Sequence, residues 1–355
     1  MQLPFFPFPR WLGEVPVIAV AGGLFALCTA LLANHGIWPD PGSILGNLRL
    51  YLLSVLAIGC LDATRTLLRQ RPASPTAHLL SRYTSPEARA FAAGGALMFA
   101  LCVVLMPYFS KMKAAIPLFN SYTWDEAFIA WDRGLFFGYD AWEVLQPVLG
   151  YPVVTATLAF LYQAWFLLLY PGVLWFAYGQ MDETVRRRFF LSYVLSWTVV
   201  GGAMATWLAS VGPCFIGPLL GDRTFDAQMA YLNAANEQVP VMTLKVQGML
   251  LDWFHADANG LGSGITAMPS MHVAIAFLFW LATRHAAPRA ARWFGLFFAV
   301  TWISSVHLAY HYAVDGLVSV IAVAAIWRLS AVVITAWDAI LARQATLRTN
   351  TVPAE

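Results

Sequence analysis

Apolar runs of about 20 residues recur along this chain, and that recurrence limits what it can fold into more than any other feature. The runs occupy residues 15–34, 46–62, 89–109, 151–178, 189–210, 270–286, 292–311 and 314–336, with those at 46–62 and 270–286 the shortest. Hydrophobic residues make up 59% of the sequence and charged ones 11%, against roughly a quarter charged in ordinary soluble domains. A soluble core of 355 residues could not hide that much apolar surface, whereas a bilayer can. The expected fold class is all-α, a polytopic transmembrane helix bundle of about eight spans. Arg10 precedes the run Val15–Ala33, which is long and has no clear cleavage site, so it reads as a retained first span and not a removed signal peptide.

Charge is distributed unevenly between the connecting segments. Segment 62–90 holds Arg65, Arg69, Arg71, Arg82 and Arg89, segment 180–188 holds Arg186, Arg187 and Arg188, and segment 282–292 adds Arg284, Arg289 and Arg292. The long loops 110–150 and 211–268 contain only Lys111, Lys113, Arg133, Arg223 and Lys245. Positive short loops stay in the cytoplasm, which puts both termini there and the long loops on the other side. The lack of long soluble extensions favours a bacterial inner membrane, with the long loops in the periplasm. A net charge of +2 gives no reason to expect a nucleic-acid partner. Cys28, Cys60, Cys102 and Cys214 form neither a disulfide framework nor a metal-ligand pattern. Within 122–150, Trp124, Phe128, Trp131 and Leu135 recur at helical spacing, predicting an amphipathic helix lying in the membrane interface as a lid, with direct substrate contact as the alternative.

Ionisable groups in or beside a membrane are costly and tend to be functional. Two clusters qualify. One is Met268-Pro269-Ser270-Met271-His272 at the start of the sixth run; the other reaches from Ser304 to Asp315 and contains His307 and His311. His272 and His311 are 39 residues apart, two crossings of about 20, so both belong at the same non-cytoplasmic face. His311 and Asp315, four apart, share a helix face. A carboxylate there can hold one imidazole nitrogen and leave the other as nucleophile. Pro269 suits a first helical turn, Ser270 can donate hydrogen bonds, and His272 can protonate a leaving oxygen. His307, one turn before His311, is expected to buttress the bundle. Asp252, His255 and Asp257 share a loop but make no ligand set, and no metal or cofactor is expected.

These residues resemble the second and third signature motifs of the type 2 phosphatidic acid phosphatase superfamily, through Pro269-Ser270-Met271-His272 and the pattern Ser304-Ser305-x5-His311-x3-Asp315. The resemblance implies that His311 is phosphorylated, that Asp315 orients it, and that His272 is the acid for the leaving group. Ser270 and Ser304 are the serines expected to bind substrate. Two departures matter. The third motif has Ser305 where the phosphatases have Arg, and their first motif, Lys-x6-Arg-Pro, is missing: Arg71-Pro72 has Thr64 at the Lys position and lies on the cytoplasmic side. Both departures are similar to the inositol phosphorylceramide synthase branch, as are Tyr310-His311-Tyr312-Ala313-Val314-Asp315 and the Pro-rich stretch Gly212–Pro218.

A transferring phosphoryl group needs cationic stabilisation; Arg223 and Lys245, with Arg133 as a third, are the expected replacements. The chain then divides into N-terminal helices over 1–109, a catalytic membrane domain over 110–335 and a cytoplasmic tail over 336–355. The expected activity is transfer of inositol phosphate or a similar head group to a lipid alcohol, with membrane lipids as substrates. The alternatives are hydrolysis of a lipid phosphate and a non-catalytic or transporter role for the His–Asp cluster.

Overall fold

The computed structural model describes residues 10–256, 260 and 262–350, all helical or connecting loop; Asp257, named above, lies outside them. Two spans come first, Arg10–Ala33 (α1) and Pro41–Gln70 (α2), followed by a short exposed helix, Pro75–Thr84 (α3), and a third span, Pro86–Ala114 (α4). Ile116–Phe119 (α5), Asp125–Leu135 (α6) and Ala141–Leu149 (α7) then cross one end of the bundle. Pro152–Gln163 (α8) and Val173–Tyr178 (α9), joined through a π-helical turn at Leu168–Gly172, form the fourth span. The fifth runs from Glu183–Leu195 (α10) through π-helical Ser196–Met204 to Ala205–Trp207 (α11).

Pro213–Leu220 (α12), Asp226–Gln238 (α13) and Met242–His255 (α14) return to the end that carries α6 and α7. Met271–Ala286 (α15) and Pro288–His307 (α16) form a hairpin, and Ala313–Asn350 (α17) closes the described chain. Among the described residues, six helices are long and apolar enough to cross a membrane. The other two expected spans are α15 and α16, of 16 and 20 residues. At about 1.5 Å per residue α15 is about 24 Å long, less than a hydrocarbon core of about 30 Å, and most of its side chains are enclosed by protein. The segment expected as a tail continues α17 as helix through Asn350.

Local chemistry sets the boundaries. Proline in the first turn opens α2, α3, α4 and α8, where its missing N–H is not needed. Asp40 accepts the N–H groups of Gly42 and Ser43, and Ser85 accepts that of Ala88, satisfying donors that a helix start leaves open. Arg71 ends α2 in the left-handed region at φ 45° and Pro72 stops its continuation. The one Arg-Pro pair is thus a helix terminator, remote from the clusters of interest.

The core centres on α10 and α15. Phe176 and Phe189 stack with centroids 3.7 Å apart, and Phe279 meets both edge-on. At the Arg-rich end the buried guanidinium of Arg186 pairs with Glu14 of α1 and Glu183, while Arg187 holds Asp338 of α17 at 2.6 Å. These pairs fasten the first and last helices to α10. Removing one partner of a buried pair costs about 3–5 kcal/mol because the other charge is left alone. Arg186→Met is expected to lower the Tm of the detergent-purified protein accordingly. Adding Glu14→Leu is expected to recover most of the loss, and equal melting of the single and double variants would refute this account.

Candidate active site

The α16–α17 turn is built to present one imidazole. Ser305 O, in the last turn of α16, accepts the N–H groups of Tyr310 and His311 at 3.0 and 3.1 Å. Ala309 takes a left-handed φ of 62°, and its carbonyl accepts Cys214 N–H at 2.8 Å. His311 Nδ1 then sits 3.0 Å from Asp315 Oδ2, and the same oxygen accepts Tyr312 N–H at 3.1 Å. With Nδ1–H engaged by the carboxylate, Nε2 keeps the lone pair. A neutral imidazole with that lone pair free is the form a nucleophile requires.

His272 reaches the same place from α15. Ser270 caps that helix, its hydroxyl accepting Val273 N–H at 3.5 Å. Pro269 is not in the first turn as expected but ahead of the cap, after a cis peptide bond from Met268. The His272 ring lies between Tyr162 and Trp165, 4.3 and 4.2 Å away by centroid, and its carbonyl accepts Trp165 Nε1–H at 3.1 Å. His272 and His311 line one cavity of about 300 Å³. Ser270 and Ser304 are fully buried and do not line it. Ser319 Oγ bridges the carbonyls of Ser270 and Asp315 at 2.9 and 2.7 Å, tying the two motifs together. His307 also stays outside the cavity, its Nε2 2.9 Å from Thr155 Oγ1.

The cation in this chamber is Lys113, at the end of α4, and it is the one Lys or Arg among the described residues lining it. The three expected from the sequence are placed elsewhere. Arg223 is 88% exposed and pairs with Asp226; Arg133 forms a forked pair with Asp140 at 2.8 and 3.1 Å; Lys245 is exposed on α14. One signal pointed to Lys113. It stands seven positions before Asn120-Ser121, the first-motif spacing with Arg-Pro replaced.

The segment 122–150 does something neither expectation described. Its aromatic face is only partly covered, with Trp131 47% and Leu135 51% exposed. The face turned inward carries Asp125 and Asp132. Asp125 accepts the N–H groups of Val211 and Gly212 and the Tyr312 hydroxyl at 2.8 Å. Asp132 accepts Ala313 and Val314 N–H at 2.7 and 2.8 Å, satisfying the first donors of α17 beside His311. Gly212 has no room for a side chain: φ is +87°, and a Cβ would sit 2.8 Å from both Ala267 Cβ and Tyr310 O. Asp125 and Asp132 are therefore positioning residues for the loop that holds His311.

A family model described as the PAP2 superfamily matches residues 126–329, more than half of the chain and a range that includes His272, His311 and Asp315. The chain belongs to that superfamily. It is an integral-membrane enzyme, a phosphatase or phosphotransferase, and the transporter reading of its His–Asp cluster falls away. Neither a curated protein nor a solved structure matches it.

Burial pushes the Asp132 carboxyl up to about 6, against the lowering effect of its two backbone hydrogen bonds. Only the carboxylate accepts both N–H groups, so the clamp loosens as pH falls through about 6. Asp132→Asn is expected to lower kcat about a hundredfold, by displacing His311, and to remove an acidic limb near pH 6. The stability check has the opposite sign. A folded pKa above the unfolded value of about 3.9 makes the wild type lose stability as pH rises from about 4 to 6, and the variant lacks that slope. An unchanged pH profile of kcat would reject the clamp.

Proposed function

We propose that the protein is a lipid phosphotransferase acting by double displacement, with its chamber on the periplasmic side of a bacterial inner membrane. The observation that carries this reading is the convergence of His311 (held by Asp315), His272 and Lys113 on one chamber walled by aromatic and aliphatic side chains. Nε2 of His311 attacks phosphorus; the N–P bond forms as the P–O bond to the leaving lipid alcohol breaks, and His272 gives that oxygen a proton. A second lipid alcohol then attacks the phosphohistidine. Its O–P bond forms, the N–P bond breaks, and His272 takes the hydroxyl proton. Lys113 stabilises the charge on the transferring group.

The motif resemblance supports inositol phosphate as the unit moved, from phosphatidylinositol to a ceramide or diacylglycerol. The chamber walls support a lipid acceptor over water: Phe166, Leu169 and Tyr170 stand on one side, Leu250 and Trp253 on the other. A hydrolytic reading has one specific observation behind it, because Lys113 supplies the cation whose apparent loss separated this chain from the phosphatases.

Product analysis decides between them. In membranes given labelled phosphatidylinositol and phosphatidate with lipid-alcohol acceptors, the wild type is expected to form a new head-group-bearing lipid. His311→Ala is expected to abolish both that product and acid-labile label on the protein, while Lys113→Ala lowers turnover about 10²–10³-fold. Free phosphate alone, still dependent on His311, would establish hydrolysis. Full activity in His311→Ala or His272→Ala would end the double-displacement scheme.

A further inference from the structure

A second, larger cavity of about 560 Å³ lies beside the chamber, between α1, α4 and the π-helical stretch of the fifth span. Its volume is in the range of a ligand pocket. The walls are hydrocarbon and aromatic, from Leu24 and Leu31 of α1 to Val199 and Ala203 of the π-helix, and no charged residue lines them among the described residues. Polar groups are confined to uncharged ones such as Thr198, Thr206 and Asn120. Asn120 is fixed there, its amide donating to the carbonyls of Thr206 and Trp207 at 2.9 and 3.1 Å.

Phe109 and Trp197 line both cavities. Their rings meet edge-on, 4.5 Å apart by centroid, and Trp197 also contacts Trp165, which packs on His272. These two side chains form part of the partition between the two spaces, each facing both. Gly201 faces the chamber and Gly202 the outer cavity, so consecutive residues of one widened helix belong to both walls. π-helical turns of this kind are uncommon and frequent at functional sites.

We propose that this cavity is the seat of the acceptor's hydrocarbon chain: a neutral long-chain lipid alcohol lies along α1 and α4 and passes its hydroxyl between Phe109 and Trp197 to the phosphohistidine. The proposal rests on the transfer reading and adds where the second substrate binds. Charge assigns the occupant. The phosphate-bearing donor belongs with Lys113, His272 and His311, whereas a cavity without charge suits the substrate that has none. Once the hydroxyl arrives, its oxygen bonds phosphorus, the N–P bond to His311 breaks, and the proton passes to His272. A chain arriving from the bilayer leaves surroundings as apolar as its seat, so the cavity selects by shape and length.

Gly202→Leu tests this, because a Cβ at Gly202 meets nothing nearer than the Trp197 carbonyl at 3.8 Å and the added side chain has the cavity to fill. In vesicles containing phosphatidylinositol, the variant is expected to raise KM for a long-chain ceramide about tenfold and KM for the donor far less. Ala203→Trp, from the same wall, is a second filling variant should the first fail to fold. Binding is read separately in His311→Ala protein with a ceramide carrying a diazirine in its chain. Cross-links are expected within residues 24–31 and 197–207, and Gly202→Leu is expected to remove them. Cross-linking there by a diazirine phosphatidylinositol instead would make the cavity a donor site, and equal labelling by any bilayer phospholipid would make it a lipid-filled crevice; either overturns the proposal. A wild type that labels as expected but releases only phosphate would refute transfer and leave an alcohol-binding site, which separates the two failures.

Discussion

Buried backbone N–H groups that leave helical geometry must find acceptors within the protein. The non-helical segments 208–212 and 308–312 meet, and buried carboxylates supply those acceptors. Asp125 takes the N–H groups of the first and the Tyr312 hydroxyl of the second; Asp132 takes those at the start of α17. Burying carboxylates is costly unless each lone pair finds a donor, and five donor groups converge on this pair of side chains. The His311–Asp315 pair depends on that arrangement, because the same turn that Asp132 anchors sets the register of both residues. Polar side chains from α13 and α14 complete it: Gln228 donates to Val306 O at 2.8 Å and Gln247 to Leu308 O at 2.9 Å.

Much of the site was legible because its parts are close in sequence or separated by whole crossings. His272 and His311 come together because the α15–α16 hairpin returns the chain to the end it left, and the turn before α17 brings His311 onto Asp315. What was hidden depended on tertiary pairing. Arg223, Arg133 and Lys245 are equivalent in sequence to Lys113, all being cations in long loops; only folding shows that Arg223 and Arg133 are taken by Asp226 and Asp140. Lys113 looked like loop because the apolar run stops at Phe109, whereas the helix carries on to Ala114. In α6 the aromatic periodicity drew attention to the rings and away from the acids between them. Asp125 and Asp132 are seven apart and share the buried face with Phe128, a pattern that scores as polar surface unless their donors are known.

The count of spans shows the same limit. Apolarity alone cannot separate a helix bathed in lipid from one bathed in protein. The run at 270–286 is as hydrophobic as its neighbours, yet α15 packs against α10, α16 and α17, and nine of its 16 residues are buried. A helix that must present His272 at one end, between Tyr162 and Trp165, is held more precisely by protein on every side than by lipid. Gly316 makes the matching adjustment on α17: a Cβ there would sit 2.1 Å from the Trp302 indole, so the glycine lets α16 close on α17, and the Trp302 N–H reaches Ala313 O at 3.1 Å.

The widened helices connect this rigid centre to the membrane. Both π-helical stretches border the chamber, Leu168–Gly172 through Leu169 and Tyr170 and Ser196–Met204 through Trp197 and Gly201. Each contains the residues such a turn needs. Pro171 removes a donor that the α-helical ladder would use, and Gly201 accommodates the close approach of Phe109 and Met271, whose atoms would lie 2.6 and 2.8 Å from a Cβ. The loop that carries His311 is thus fixed by buried carboxylates on one side, while on the other the wall consists of large rings set against small residues. Rings can turn without breaking hydrogen bonds, whereas the Asp125–Asp132 clamp cannot open without exposing five donors. Movement is therefore easier on the Phe109–Trp197 side, and the His311 imidazole can stay in place while it happens.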